Sequence, residues 1–197
     1  MEPTPMPLRE RKKTATRMAL HEAALRLAVE HGLERITVEA IADAASVSRR
    51  TFSNYFAGKE EALLYGDHAR MRTFLAHVRD RPAGEPPWEA LTRAAERLYL
   101  DLGERDPRWV AQSRLLRGHP SLLERQAATY AALERDLATA VAARLPAGGS
   151  PLRARVTAAA FLSAWRAAVQ VWLDQPPGTS LAELARDALG IAADRFE

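Results

Sequence analysis

Proline and glycine cut this chain into segments that suit packed helices and little else. Between the cuts, Val, Ile and Thr never alternate with polar residues over a useful length. Ala, Leu, Arg and Glu dominate instead, and these are strong helix formers. The expected class is all-α, with about nine helices. The first is predicted from Lys13 to His31, where Leu20, Ala23, Ala24, Leu27 and Ala28 form an apolar stripe and Gly32 serves as a left-handed C-terminal cap. Thr37 caps a second over Val38–Ala45, Ser46 and Val47 turn the chain, and Ser48 caps a third that ends near Tyr55. Gly58 precedes a fourth, which opens with Glu60 and Glu61 and reaches Arg79. Arg81 to Pro87 is a proline-rich connection. Pro87 opens a fifth helix to about Arg105, and Asp106–Pro107 a sixth to Arg117. Ser121 and Glu124, at capping-box spacing, predict the start of a seventh that ends near Leu145. Ser150–Pro151 begin an eighth to Asp174, and Ser180 with Glu183 a ninth.

Composition removes several classes. Of 197 residues, 47% are hydrophobic, enough for a sizeable core. The chain has no cysteine, which excludes disulfides, the usual zinc-finger ligand sets and thiol nucleophiles, and fits a reducing cytoplasm. Met1 to Pro7 is proline-rich and lacks the apolar run of a signal peptide. The most hydrophobic stretch, Val156 to Leu173, is interrupted by Arg166 and Gln170, so no membrane partner is expected. His21, His31, His68, His77 and His119 show no metal-binding spacing. There is no G-x-S-x-G, and Gly148–Gly149 lies in a loop without the lysine of a phosphate loop. No enzyme activity, metal or cofactor is therefore expected. The net charge of +3 is small, but Arg9, Arg11, Lys12, Lys13 and Arg17 stand together against Glu10 alone. Such an arm suits either phosphates or open solvent.

The stretch Thr37 to Lys59 carries the chemistry. Two helices of about eight residues cannot hold their shape alone and need a third to cover their shared apolar side. Val38, Ile41, Ala42, Ala45, Val47 and Phe52 supply that side, and the stripe on the first helix meets it. The arrangement is that of a helix-turn-helix, whose second helix enters the major groove. Ser48, Arg49, Arg50 and Thr51 lie at the leading end of that helix. Arginine can read guanine through O6 and N7, and hydroxyls can reach bases or phosphates. Phe52 is read as core. Tyr55 suits packing, a phosphate contact, or both.

Taken together, Arg17, Leu20, Ala23–Ala24, Leu27, Gly32, Thr37–Val38, Ile41–Ala42, Ala45, Val47–Ser48, Phe52, Tyr55–Phe56, Lys59 and Leu63 resemble the N-terminal signature of the tetracycline-repressor (TetR) family. The resemblance implies an all-helical homodimer that represses nearby promoters and releases operator DNA when a small molecule binds its C-terminal domain. It implies phosphate contacts for Thr37, Tyr55 and Lys59. Ser48, Arg49, Arg50, Thr51 and Ser53 would face bases, with Arg17, Val38, Ser46 and Asn54 completing the DNA-contacting set. Two positions depart from the pattern: Ser46 replaces the usual turn glycine, and Ser53 stands where an aromatic residue is frequent. The implied division is a DNA-binding domain over 9–66 and a ligand-binding and dimerising domain over 67–197.

Beyond the head, Phe74, Trp88, Tyr99, Trp109, Tyr130, Phe161, Trp165 and Trp172 are spread over five helices. They suit an ordinary core first and the walls of an apolar pocket second. In the second reading Trp88, Tyr99, Trp109 and Trp165 line the pocket, with Arg114, Arg117, His119 and Gln170 as candidates for its polar groups. The segment Trp109 to Leu145 resembles the sensor domain of actinobacterial TetR-family members such as the mycofactocin-system regulator, which implies an acyl-coenzyme A or another long apolar ligand. On the eighth helix, Phe161, Trp165, Ala168 and Trp172 form one face, and Ala159, Ala160, Ser163 and Ala167 a neighbouring face of small residues. On the ninth, Leu181, Leu184, Ala185, Ala188, Leu189 and Ala192 form a stripe. One stripe can serve the chain's own core and the other a partner's, so a homodimer through the last two helices is expected.

Overall fold

Capping chemistry decides where each helix starts and stops. In a computed structural model, which describes residues 7–102, 107–146, 149–176 and 179–194 (the side chains of 101, 102, 107 and 108 apart), the described residues form nine α-helices and no strand. These are α1 (Leu8–His31), α2 (Val38–Ala44), α3 (Arg49–Ser53), α4 (Lys59–Asp80), α5 (Pro87–Leu102), α6 (Pro107–Gly118), α7 (Pro120–Ala142), α8 (Pro151–Asp174) and α9 (Leu181–Ala193). A single 3-10 turn, Leu33–Arg35, joins α1 to α2.

The expected caps of the short helices are present. Thr37 Oγ1 accepts from the Ala40 amide at 3.1 Å, and Ser48 Oγ from the Thr51 amide at 3.0 Å. Glu61, in the first turn of α4, reaches back to accept from the Ala57 amide at 2.7 Å. Ser150 and Ser180 cap α8 and α9 by accepting from the amides of Arg153 and Glu183.

Three expectations are corrected. The first helix begins at Leu8 rather than Lys13, because its opening residues are good helix formers and Glu10 sits near the positive end. Gly32 does take a positive φ of 84°, but its ψ of 148° is extended rather than left-handed helical; the chain passes straight into the 3-10 turn, where the Arg35 amide donates to the Gly32 carbonyl at 3.2 Å. The seventh helix opens at Pro120, with Ser121 inside its first turn, because proline has a preset helical φ and lacks the amide that would be orphaned there. The expected end of the fifth helix, near Arg105, and the cap at Asp106 lie outside the described residues.

Packing divides the chain into two compact units. The first joins residues up to His68 with Pro107–Leu123; the second takes Ala69–Asp106 and the remainder from Glu124. The N-terminal helices thus recruit a segment, α6, from far along the chain, which a division at residue 66 leaves on the other side. The core of the first unit is the buried set around Leu20, Ile41, Phe52 and Leu63, with Leu116 and Leu122 added from the later segment. A polar clasp lies within it. His21 donates from Nδ1 to the Ala62 carbonyl at 2.8 Å, and Gln112 Nε2 donates to the Leu63 carbonyl at 2.5 Å. Both side chains are buried and both press on Gly66.

In the second unit α8 and α9 pack along their length, and α5 covers both. Phe74 and Phe161 stack with centroids 5.5 Å apart, and Trp165 meets Phe74 edge to face at 4.5 Å. Trp172 Nε1 donates to the Thr179 carbonyl at 3.0 Å and secures the connection between α8 and α9. Arg144 Nη2 donates to the carbonyls of Val78 and Arg81, tying the end of α7 to that of α4. The α4–α5 connection is closed by a forked pair of hydrogen bonds from Arg81 to Glu85, at 2.7 and 2.6 Å, which holds the Glu85 carboxyl below the usual carboxylate range.

Gly66 yields the first prediction. A Cβ there would lie 2.5 Å from His21 Nε2 and 3.2 Å from Gln112 Oε1, and His21 is already anchored. Gly66→Ala is expected to cost about 1–3 kcal/mol through overpacking. The midpoint of denaturant unfolding measures it, and an unchanged midpoint would show that the clasp yields freely.

Candidate nucleic-acid interface

Helix α3 has only five residues, so its shape depends on what holds it. Phe52 faces inward with 1% exposure, beside Phe56 at a centroid distance of 5.8 Å. The turn before α3 is closed by the Val47 amide donating to the Ala42 carbonyl at 2.9 Å. Ser46 within that turn has φ 55°, the left-handed region in which glycine is usual. A side chain there costs about 1 kcal/mol, which the surrounding contacts sustain. Burying Phe52 leaves Ser48, Arg49, Arg50, Ser53 and Asn54 exposed, with Thr51 and Tyr55 half-buried.

Several of these groups already have work within the protein. The Ser48 and Thr51 hydroxyls lie 2.9 Å apart, so one donates to the other and the pair retains one O–H for an outside acceptor. Thr37 accepts an amide in capping α2 and keeps its own O–H. Arg17 extends from α1 over the Tyr55 ring, guanidinium 5.5 Å from the centroid, so these two expected contacts form one cluster. Val38 packs against the core. Arg50 is exposed and forms no ion pair among the described residues, whereas Arg49 Nε lies 3.0 Å from Glu39 Oε1 on α2.

Lys59 has a different environment from a simple phosphate ligand. Its Nζ donates to the carbonyls of Leu33 and Ile36 at 2.9 and 3.2 Å, tying the start of α4 to the segment before α2. An ammonium has three donors, so one remains for an external anion. The expected basic arm is helical: Arg9, Arg11, Lys12 and Lys13 are exposed on the first turns of α1.

The residues expected to line a pocket fall in both units. Trp109, Arg114 and His119 belong to the first unit, and Trp88, Tyr99, Trp165 and Gln170 to the second. Arg114 and Gln170 are exposed, and His119 donates from Nδ1 to the Leu115 carbonyl at 2.8 Å. In the second unit Trp88 meets Phe161 at 5.8 Å and Tyr99 meets Trp165 at 6.1 Å, both edge to face. Tyr99 Oη, Trp165 Nε1 and Thr92 Oγ1 are buried there without a partner in hydrogen-bonding geometry among the described residues. Burial pushes the Tyr99 phenol far above its ordinary range, so it remains a neutral donor. Sequence reasoning passed over Thr92, Glu39 and the His21–Gln112 clasp. Glu39, His21 and Gln112 act through partners more than three residues away, and no helical spacing announces such a partner.

The first unit is a helix-turn-helix head: two short helices at a tight turn, backed by a long one, with arginines on the outer face of the second. The family described as bacterial regulatory proteins, tetR family, matches residues 20–65, and that described as the MftR C-terminal domain matches residues 85–197. The chain belongs to the tetR family of bacterial regulatory proteins. It is 37% identical over 143 residues to the HTH-type transcriptional regulator TcmR of Streptomyces glaucescens, a match that covers 70% of this chain and 63% of the length of that curated relative. SmeT of Stenotrophomonas maltophilia, in its triclosan complex, shares the fold with a TM-score of 0.67 at 20% identity, over 92% of this chain and 91% of the other. Thermus thermophilus FadR in complex with lauroyl-CoA has a TM-score of 0.59 at 25% identity, over 90% and 93% of the two chains.

The two carbonyl bonds of Lys59 yield the second prediction. Lys59→Met leaves both acceptors without their charged donor and is expected to cost about 1.5–3 kcal/mol in unfolding free energy. Arg50→Met, at an exposed position, is expected to stay within about 0.5 kcal/mol. Equal midpoints for the two variants would remove Lys59 from the frame of the head.

Proposed function

We propose that this chain is a homodimeric repressor that reads operator DNA through α3 and leaves it when a small apolar ligand enters the second unit. The observation that carries the reading is the outer face of α3, where Arg49, Arg50, Ser53 and Asn54 stand exposed on a helix fixed from behind by Phe52. In this reading Arg49 and Arg50 address base edges, with Ser48, Thr51, Ser53 and Asn54 beside them. Thr37, Tyr55 with Arg17, and the third donor of Lys59 address phosphates, and Val38 and Ser46 flank the contact. The head corresponds to 9–66 together with α6, and the rest of 67–197 senses and dimerises.

The apolar surface of α8 and α9 supports a second copy as partner. α8 is long and apolar enough to cross a membrane by length and composition, yet it buries Phe161, Leu162, Ala168 and Trp172 in its own unit. Leu152, Val156 and Val171 on the same helix, and Ile191 on α9, remain exposed at 70%, 44%, 47% and 75%. The α9 stripe divides: Leu181, Ala185 and Leu189 are core, whereas Leu184, Ala188 and Ala192 keep some exposure. A four-helix contact about a two-fold axis would cover this face. Ile191→Glu and Val171→Glu are expected to give folded monomers with weakened operator binding, and Leu189→Glu an unfolded chain. A wild type that sediments as a monomer would overturn the dimer.

The buried donors of Tyr99, Trp165 and Thr92 favour a ligand with an apolar body and at least one hydrogen-bond acceptor, such as the carbonyl of an acyl thioester or an aryl ketone. Such a ligand would bond Tyr99, Thr92 or Trp165 and lie against Phe74 and Phe161. α4 is shared by both units and gives the ligand a covalent path to the head. A tenfold loss of operator affinity requires about 1.4 kcal/mol of coupling, and operator DNA must weaken the ligand equally. Selection of bound sequences from random DNA tests the reading. The expected product is a pseudo-palindrome with half-sites about one helical turn apart or slightly more. Arg50→Ala is expected to cost about 1–3 kcal/mol on it. Absence of any selected sequence would overturn the reading.

A further inference from the structure

We propose that Glu39 is a specificity-determining residue that holds Arg49 in its base-reading arrangement and keeps it off the DNA backbone. The inference rests on the operator-binding reading above and assigns a new role to a residue outside the expected contact set. Glu39 lies in the first turn of α2 and Arg49 is the first residue of α3; the two helices meet at the turn through Ser46. Arg49 Nε sits 3.0 Å from Glu39 Oε1, and the side chains are 73% and 53% exposed.

So exposed an ion pair contributes little to stability. Its consequence is geometric. A guanidinium has one N–H on Nε and four on its two Nη groups, and reading guanine needs two parallel donors. With Nε held by the carboxylate, the side-on edge of Arg49 is occupied and the two Nη groups remain as the reading fork. The carboxylate also sets a penalty on the alternative. A surface arginine near DNA can turn to a phosphate instead of a base, and phosphate contacts carry no sequence information. If Arg49 did so, it would leave Glu39 as an unpaired negative charge beside the polyanion. The carboxylate therefore favours the base contact over the backbone contact, an instance of discrimination by a repulsive element. Arg50, which has no such partner among the described residues, is free to do either.

The test uses the full-length protein and the operator selected from random DNA, together with every single-base variant of one half-site. Arg49→Ala, Glu39→Gln and the double variant are compared with the wild type. Arg49→Ala is expected to relax preference at one base pair. Glu39→Gln is expected to relax preference at that same pair by several-fold, and to steepen the slope of log affinity against log salt by about one phosphate contact, as the released arginine pairs with the backbone. In the Arg49→Ala background Glu39→Gln is expected to change neither quantity by more than the removal of one distant charge. If Glu39→Gln strengthens binding to all sequences alike and leaves the preference intact, Glu39 is only a repulsive charge and the inference falls, while the operator-binding reading stands. If Arg49→Ala leaves every preference intact, Arg49 reads no base and the inference falls with it. A wild type that selects no sequence overturns both.

Discussion

Helices of seven and five residues cannot persist alone in water, yet with their caps and the turn between them they carry most of the groups expected to meet DNA. The interface therefore depends on one apolar contact, the burial of Ile41, Ala42 and Phe52 against Leu20, Ala24 and Leu63. Everything that stiffens this contact also orients the reading face. The Ser46 turn acts between α2 and α3, the Lys59 bonds act on the carbonyls before α2, and the Glu61 cap acts on the amide of Ala57 after α3. Strain at Ser46 is tolerable because the residues on either side are over-determined by packing and backbone hydrogen bonds.

The polar groups of the head divide their capacity between folding and recognition. A hydroxyl that caps a helix spends its acceptor and keeps its donor, which is the half a phosphate can use. Thr37 does this cleanly, whereas Ser48 and Thr51 bond one another and share a single donor. Lys59 spends two donors on carbonyls. Economy of this kind fixes the groups proposed to face phosphates relative to α3, because the bonds that build the fold also aim the groups.

The second unit has a different balance. Its centre is aromatic, with Phe74, Phe161 and Trp165 in mutual contact, Tyr99 edge to face with Trp165, and the donors of Tyr99 and Trp165 buried. A buried donor without an acceptor is costly, which is why the proposed ligand is one that brings an acceptor. The surface of α8 exposes Leu152, Val156 and Val171 and that of α9 exposes Ile191, among charged residues such as Arg155 and Asp187, and small residues at Ala160, Ser163 and Ala167 permit close approach of another helix. The Lys59 ties and the His21–Gln112 clasp lie in the first unit.

Local chemistry made much of this legible. Helical period, proline and glycine positions and the Thr37, Ser48, Ser150 and Ser180 caps act within a few residues, so the sequence by itself determined the helix order, the helix-turn-helix and the exposure of Arg49 and Arg50. Errors fell where a local rule had a local rival, as when Pro120 displaced Ser121 at the start of α7. What only the tertiary structure decided involves partners remote in sequence: α6 packing with the head, Lys59 held by Leu33 and Ile36, Gly66 kept small by His21 and Gln112, and Glu39 beside Arg49. The division of the α9 stripe into core and exposed halves belongs here too. Periodicity marks an apolar face but carries no information about which neighbour covers it, because burial is a property of the packed chain and not of the helix.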